Sequence, residues 1–488
     1  MGSIKKQGIT NTIISYIGIG IGFISLLVLQ PFMLSTEELG LTRILYSATL
    51  LIGTLFPVGL NFLTIRFFPK FKNKENGHNG YFGLLMLLAS CGYIIMASLI
   101  FIGKNLILKK YDNSPLFTEY FYYVFPIAFC IGFTSIITGY CSSLFKSSVP
   151  VFLNDVFLRV AMIAIVTLYY IKIITFPVFV CLFAGSYIVQ LISLLSYVKF
   201  LKALNLKINW PFFRSLNIKE IVKYTLFLAL ASLAAIGIRN IDVLMVGSYL
   251  SLNAVAVYSL GMIVGSLIEV PVAALGKIAD AKISDAIQRN DLPMVKEVYN
   301  KSVEYLILIG GILFVLLYAN IDEAITFLPQ KYHEAKWVVI IISFSALINM
   351  ATGINNSIIY YSSKYTIGTY MLFGMILISV ILNIILIPMY GIEGSAIATA
   401  VAMILNNLGK FLLIKKHFGM QPYTPHVLKI ILVIALSFAA CLVFPVFGDK
   451  ILLMIIRTAV ISALYLSLLI LFKVFTMKEL LNFRKTFL

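Results

Sequence analysis

Charge is what this chain has least of. Of 488 residues only 12% are Asp, Glu, Lys or Arg, against 60% hydrophobic, and the mean hydropathy is +0.98. A water-soluble protein cannot hide that much apolar surface, and no polar break is long enough to hold a soluble domain. Histidine is scarce: His78, His333, His417 and His426 lie in or beside polar breaks with no HExxH-like spacing, which leaves no catalytic metal pattern. The five cysteines, Cys91, Cys130, Cys141, Cys181 and Cys441, include no CxxC pair. Reduced, buried thiols are therefore expected, with neither a disulfide framework nor a metal site. There is no P-loop, so ATP is not the direct energy source. Nor is a cleavable signal peptide expected, because Ile9–Leu34 is too long for an h-region and lacks a small-residue cleavage site. Together these absences argue against an enzyme.

What fills the chain is one hydrophobic wave repeated about fourteen times, each run long enough to cross the ~30 Å hydrocarbon core as a helix. The runs fall near 9–34, 41–68, 80–103, 116–143, 151–171, 173–198, 219–249, 253–279, 301–320, 335–362, 366–388, 393–414, 426–447 and 451–475. Alternate breaks are rich in Lys and Arg: Lys5/Lys6, Lys70/Lys72/Lys74, Lys199–Lys219, Lys282/Arg289/Lys296, Lys415/Lys416 and Lys478/Arg484/Lys485. The other breaks are acidic or sparse, as at Glu37/Glu38, Asp322/Glu323 and Asp449/Lys450, and only Lys104/Lys109/Lys110 is basic on that side. By the positive-inside rule both termini are expected in the cytoplasm, which needs an even number of spans. The net charge of +18 then reflects topology and attraction to anionic membrane lipids, not nucleic-acid binding.

A faint repeat runs through this pattern. The turn at Met33–Glu37 leads into a span carrying Pro57, and the turn at Tyr249–Asn253 leads into one carrying Pro271, an offset of about 215 residues. Two parallel six-helix halves are expected, followed by two extra helices. The boundaries are 1–198 for the N-terminal lobe, 199–218 for a basic cytoplasmic linker, 219–414 for the C-terminal lobe, and 415–488 for the last two helices and tail. Pro57 and Pro271 each remove an amide hydrogen bond at related positions and form an expected hinge pair.

Polar residues inside spans carry the functional expectations, because each is costly unless paired or hydrated. Arg239 and Asp242 share a face in the seventh span; they are read either as a self-neutralising pair or as a substrate-facing cation beside a coupling carboxylate. Glu269 lies mid-membrane in the eighth span, with Lys277 two turns on, and joins Asp242 as an ion-coupling candidate. Arg66 either snorkels at the inner end of span two or offers its fork to an entering phosphate group. Asp155 and Arg159 are expected to pair locally at i,i+4, whereas Arg457 has no evident partner. Span ten carries a polar stripe, Ser345, Asn349, Thr352, Gly353, Asn356 and Tyr360, that suits a cavity wall or buried packing. In span twelve Ser395, Thr399, Asn406 and Lys410 lie near one face, suited to packing or a lining; Asn11, Ser15, Gly18, Gly22 and Ser25 in span one read as a packing seam. The expected substrate-binding set is Arg66, Arg239, Asn61, Asn349, Asn356 and Lys410.

Three stretches carry a family resemblance. These are Gly40-Leu41 with Arg66-Phe67-Phe68-Pro69; Arg239-Asn240-Ile241-Asp242 with Val246-Gly247 and Val257-Tyr258-Ser259; and Ile387-Pro388-Met389-Tyr390-Gly391-Ile392-Glu393-Gly394-Ser395-Ala396-Ile397-Ala398-Thr399. Over essentially its whole length the chain resembles the polysaccharide and oligosaccharide flippases of the Wzx type. They belong to the multidrug/oligosaccharidyl-lipid/polysaccharide (MOP) exporter superfamily, which also holds lipid II flippases and multidrug and toxin extrusion transporters. The resemblance implies an all-α integral membrane fold with two bundles in a V opening alternately to each face. It implies a polyprenyl-pyrophosphate-linked oligosaccharide as cargo, moved from the inner to the outer leaflet of a bacterial cytoplasmic membrane. No cofactor is expected beyond Na⁺ or a proton as coupling ion, and a polysaccharide polymerase and ligase are the further candidate partners. Two other readings stay open: a cation-coupled multidrug extruder, whose cavity should be acidic and aromatic, and a structural component of the polysaccharide-export machinery.

Overall fold

The structure, a computed structural model, describes residues 2–57, 59–73, 77–214, 225, 236–237, 240–445 and 448–474, without the side chains of residues 2–6, 62, 65, 66, 70, 214, 277 and 278. Among the described residues there are helices and no strands. Ten helices among the described residues are long and apolar enough to cross a membrane, or eleven when Ala335–Ala351 and Asn355–Tyr361 count as one bent span. The difference from the expected count lies at three places. The run 41–68 is split into Thr36–Leu55 and Leu60–Phe71. The run 219–249 lies mostly outside the described residues. The runs 366–388 and 393–414 are two helices joined across a kink at Gly391 (φ 59, ψ −135) within Tyr365–Phe418, and are counted there as one. That backbone conformation is open essentially to glycine alone.

Two compact units, Met1–Ala256 and Val257–Leu488, divide the chain. In the first, α1 (Gly2–Phe23) runs into a π-helical turn, Ile24–Leu29. Next come α2 (Thr36–Leu55), α3 (Leu60–Phe71), α4 (Tyr81–Lys109), α5 (Val124–Ser143), α6 (Leu158–Tyr170) and α7 (Phe176–Phe200). A reciprocal cap starts α2: Glu38 N donates to Ser35 Oγ (3.2 Å) and Ser35 N to Glu38 Oε2 (2.8 Å), satisfying two amides that helix geometry leaves orphaned. Pro57 ends it, and Gly59 at φ 72 turns the chain into α3. The most enclosed helix is α5, packed against α2, α3, α4 and α7. By contrast α4 turns Ile94, Ile102 and Leu106 outward, at 62%, 79% and 76% exposure, as a helix bathed in lipid must. Beyond α7, residues 205–209 lie against the start of α4, where Asn205 O accepts from Gly83 N (3.1 Å) and Asn79 O from Asn209 N (3.2 Å).

The second unit contains most of α8 (Leu252–Ser266), a 3₁₀ turn at Leu267–Glu269, α9 (Val270–Gln288), α10 (Leu292–Ile325), α11 (Ala335–Ala351), α12 (Asn355–Tyr361), α13 (Tyr365–Phe418), α14 (Pro425–Leu442) and α15 (Lys450–Leu471). Its core gathers on α10, where Val295, Tyr299, Val303 and Ile307 pack with Ile358, Val427, Ile430 and Tyr465. Pro271 sits at the start of α9, after the 3₁₀ turn, so the two expected hinge prolines interrupt their spans differently. Only Pro57 is followed by a left-handed glycine.

Four local expectations are corrected. The span-ten stripe is not continuous: α11 and α12 are bent by 55° at Thr352–Ile354, where Gly353 has φ 62. All five cysteines are free, but Cys91 and Cys181 are exposed. Arg457 does have a partner, since its Nη1 lies 2.8 Å from Glu323 Oε2 with both residues buried; Glu323, read as an acid of an outer break, belongs to α10. Asp155 and Arg159 form no ion pair; Ser15 Oγ donates to Asp155 Oδ2 instead (2.6 Å). The cause is a π-helical turn at Leu153–Phe157, whose extra residue rotates Asp155 out of the i,i+4 line.

Candidate functional site

Two adjoining cavities lie within the first unit. The larger holds about 510 Å³ and the smaller about 250 Å³; the larger falls in the range of ~300–1,000 Å³ usual for small-ligand sites. Tyr46, Asn154, Leu158, Arg159 and Tyr187 line both, so the two form one polar recess with Arg159 at the junction.

Helix packing explains how a cation is held there. The span-one seam opens a niche for Arg159: a Cβ at Gly22 would lie 3.1 Å from its Nε, and one at Gly18 would lie 2.5 Å from the Asp155 carbonyl oxygen and 3.0 Å from Arg159 Nη1. Neither glycine has room to become alanine without moving the arginine or the helix behind it. Arg159 Nη1 is shielded from solvent and makes no hydrogen bond. A buried guanidinium N–H without an acceptor is costly, and the natural way to relieve it is an anionic guest.

A second cation, Arg43 of α2, lines the smaller cavity. Its Nη2 donates to Gln30 Oε1 (2.9 Å), and Gln30 Nε2 donates to Ser25 Oγ (2.9 Å). This chain runs from the π turn, where Ser25 and Gln30 are buried, to the guanidinium, and fixes its direction. Arg43 and Gln30 carried no expectation from the sequence because both fall near the expected outer ends of their spans. The available signal was an arginine inside an otherwise apolar run behind a Gln-Pro step. Two arginines on a low-dielectric recess can each offer paired N–H donors to phosphate oxygens, and they act more strongly there than in water.

Of the described residues of the expected substrate set, only Asn61 lines this recess; its Nδ2 donates to Ser135 Oγ (3.2 Å). The backbone of Arg66 belongs to α3, but its side chain lies outside the described residues, as does all of Arg239. Asp242 is fully buried. The remaining residues belong to the second unit and bond to one another. Asn349 Nδ2 donates to Glu269 Oε1 (3.0 Å), Asn407 Nδ2 to Asn349 Oδ1 (3.0 Å), and Lys410 Nζ to Asn356 Oδ1 (2.8 Å). Glu269, Asn349 and Asn407 thus form a polar chain across three helices, α11 contributing its middle member. Asn407 was not expected. Its spacing from Lys410 on the same helix was the clue.

Comparison with known proteins places this architecture. The polysaccharide biosynthesis protein family model matches residues 4–279, more than half of the chain, and the MatE family model matches residues 228–389. No curated protein sequence matches. Among solved structures the fold is similar to the lipid II flippase MurJ in an inward closed conformation, with TM-score 0.71, 14% identity, and 95% of this chain and 100% of that one covered. It is similar to an inward-facing multidrug resistance MATE family transporter of the MOP superfamily, with TM-score 0.66, 13% identity, and coverage of 82% and 93%. A MOP superfamily transporter from Pyrococcus furiosus, described as having a binding pocket of reverse polarity, gives TM-score 0.56, 14% identity, and coverage of 85% and 96%. The chain therefore belongs to the polysaccharide biosynthesis protein family: a multi-pass membrane protein with the fold of the MOP-superfamily flippases and exporters, which are transporters and not enzymes.

Proposed function

We propose that this protein flips a polyprenyl-pyrophosphate-linked oligosaccharide repeat unit from the inner to the outer leaflet of a bacterial cytoplasmic membrane by alternating access. The observation that carries the reading is the arginine recess of the first unit, inside the segment matched by the polysaccharide biosynthesis family. A pyrophosphate brings several acceptor oxygens and negative charge, which would answer the unbonded Arg159 Nη1 and suit a recess that Arg43 also lines. The polyprenyl chain can stay in the bilayer while the polar headgroup crosses. Arg66 and Arg239 remain proposed contacts, as do Asn61, Asn349, Asn356 and Lys410. Asp242 and Glu269 remain the proposed carriers of a coupling proton or Na⁺, and Pro57 and Pro271 the proposed hinges.

The test is mass spectrometry of polyprenyl-linked glycans in cells with and without the gene, paired with a probe of the leaflet that holds them. Without the gene, complete repeat units accumulate facing the cytoplasm. The intact gene clears them, and Arg159→Gln does not; Glu269→Gln removes the dependence of clearance on the ion gradient. Clearance by Arg159→Gln at the normal rate would overturn the cationic-recess reading. A second reading, a cation-coupled extruder, is favoured by the MatE match over 228–389; it requires changed drug sensitivity with no glycan accumulation.

A further inference from the structure

The larger cavity has a face that the arginines do not explain. Along α5, Thr134, Ser135, Thr138 and Ser142 lie on one side and line the cavity, as Arg159 does. Threonine in a membrane helix ordinarily donates its hydroxyl to a carbonyl one turn back. Six others in this unit, Thr12, Thr42, Thr49, Thr54, Thr64 and Thr167, do so at 2.7–2.9 Å. Thr134 and Thr138 make no such bond, and both Oγ1 atoms are buried without any partner. Two unmet hydroxyls one turn apart on a cavity wall are costly in an apolar surround. Threonine has two accessible χ1 wells in a helix, so each hydroxyl has a second staggered direction open to it, about 120° from the first.

We propose that this α5 wall is a sugar subsite, which rests on the flippase reading and adds to it: Thr134 and Thr138 bond the hydroxyls of the sugar joined directly to the pyrophosphate. The chemistry fits a neutral polyol. Hydroxyls and the Asn61 amide both donate and accept, as sugar hydroxyls do, and α5 presents no charged side chain to the cavity. Connectivity fits as well. Because Arg159 lines both cavities, a ligand whose phosphate rests there can send its sugar along α5 and its second phosphate toward Arg43. Among the described residues the carboxylate that lines this cavity, Asp155, belongs to the π turn and accepts from Ser15 Oγ, while α5 supplies hydroxyls.

The experiment uses the full-length protein in lipid nanodiscs. Equilibrium binding is measured for undecaprenyl pyrophosphate and for the lipid-linked glycan extracted from cells lacking the gene. The variant is Thr134→Val/Thr138→Val, which keeps side-chain volume and removes both hydroxyls. The intact protein should prefer the glycan-bearing lipid, and the variant should lose roughly tenfold of that preference, the effect of two hydrogen bonds. An unchanged preference, or an equal loss for both lipids, overturns the subsite while leaving the flippase reading in place. If the intact protein binds neither lipid, the flippase reading fails and the subsite with it.

Discussion

Two arginines show how a side chain's role depends on what burial leaves around it. Arg457 and Arg159 both sit within apolar runs. Arg457 is 5% exposed and is answered by Glu323, itself 8% exposed, with Asn320 Nδ2 donating to Thr458 Oγ1 (3.0 Å) alongside. That pair joins α15 to α10 and is spent on the fold. Arg457→Leu strands the Glu323 carboxylate and should cost about 3–5 kcal/mol, seen as a lower thermal midpoint in detergent. Arg457→Leu/Glu323→Leu should recover most of the loss, because a matched apolar pair leaves no buried charge. If the double variant melts as low as the single, the pair is not what holds α15. Arg159 has no such answer for its Nη1, and that difference is why it is the proposed anion contact.

Among the helices, irregular turns do most of the positioning. The π turn at Leu153–Phe157 separates Asp155 from Arg159, and the one at Ile24–Leu29 carries Ser25 toward Gln30 and Arg43. Extra residues of this kind change which side chains share a face, and no apolar periodicity announces them. The glycine niche of α1 is similarly specific. Gly22→Leu should displace the Arg159 guanidinium and lower glycan export as far as Arg159→Gln does. Gly20→Leu, two positions away with open space around its Cβ, should export normally at equal protein levels. Equal export by the two leucine variants would show that the niche does not matter.

At the scale of the molecule the apolar pattern makes two claims, a membrane fold and an orientation. Long apolar helices and the family match support the first. The second rests on the Lys and Arg distribution and is open to a direct measurement. In a background with all five cysteines replaced by alanine, Glu37→Cys should react with a membrane-impermeant maleimide on intact spheroplasts. Lys416→Cys should react only after lysis. The opposite pattern would place both termini outside and reverse the direction assigned to transport.

Composition and periodicity by themselves determined that this is an all-helical membrane protein, and the run of small residues from Gly391 to Thr399 pointed to the superfamily. These properties are local: twenty apolar residues cross a bilayer whatever their neighbours do, and Gly391 is needed for its own backbone angle. The candidate site was much less legible. Asn61 does line the recess, Arg43 and Gln30 drew no expectation, and Arg159 was assigned to the wrong partner, because what surrounds a buried cation depends on residues from other helices, 13 positions away for Arg43 and more than a hundred for Arg159. Only the tertiary structure brings Gly22 against Arg159, Gln30 against Arg43 and Glu323 against Arg457. Charge and hydrogen-bond satisfaction are sums over spatial neighbours, and a linear chain does not list its neighbours.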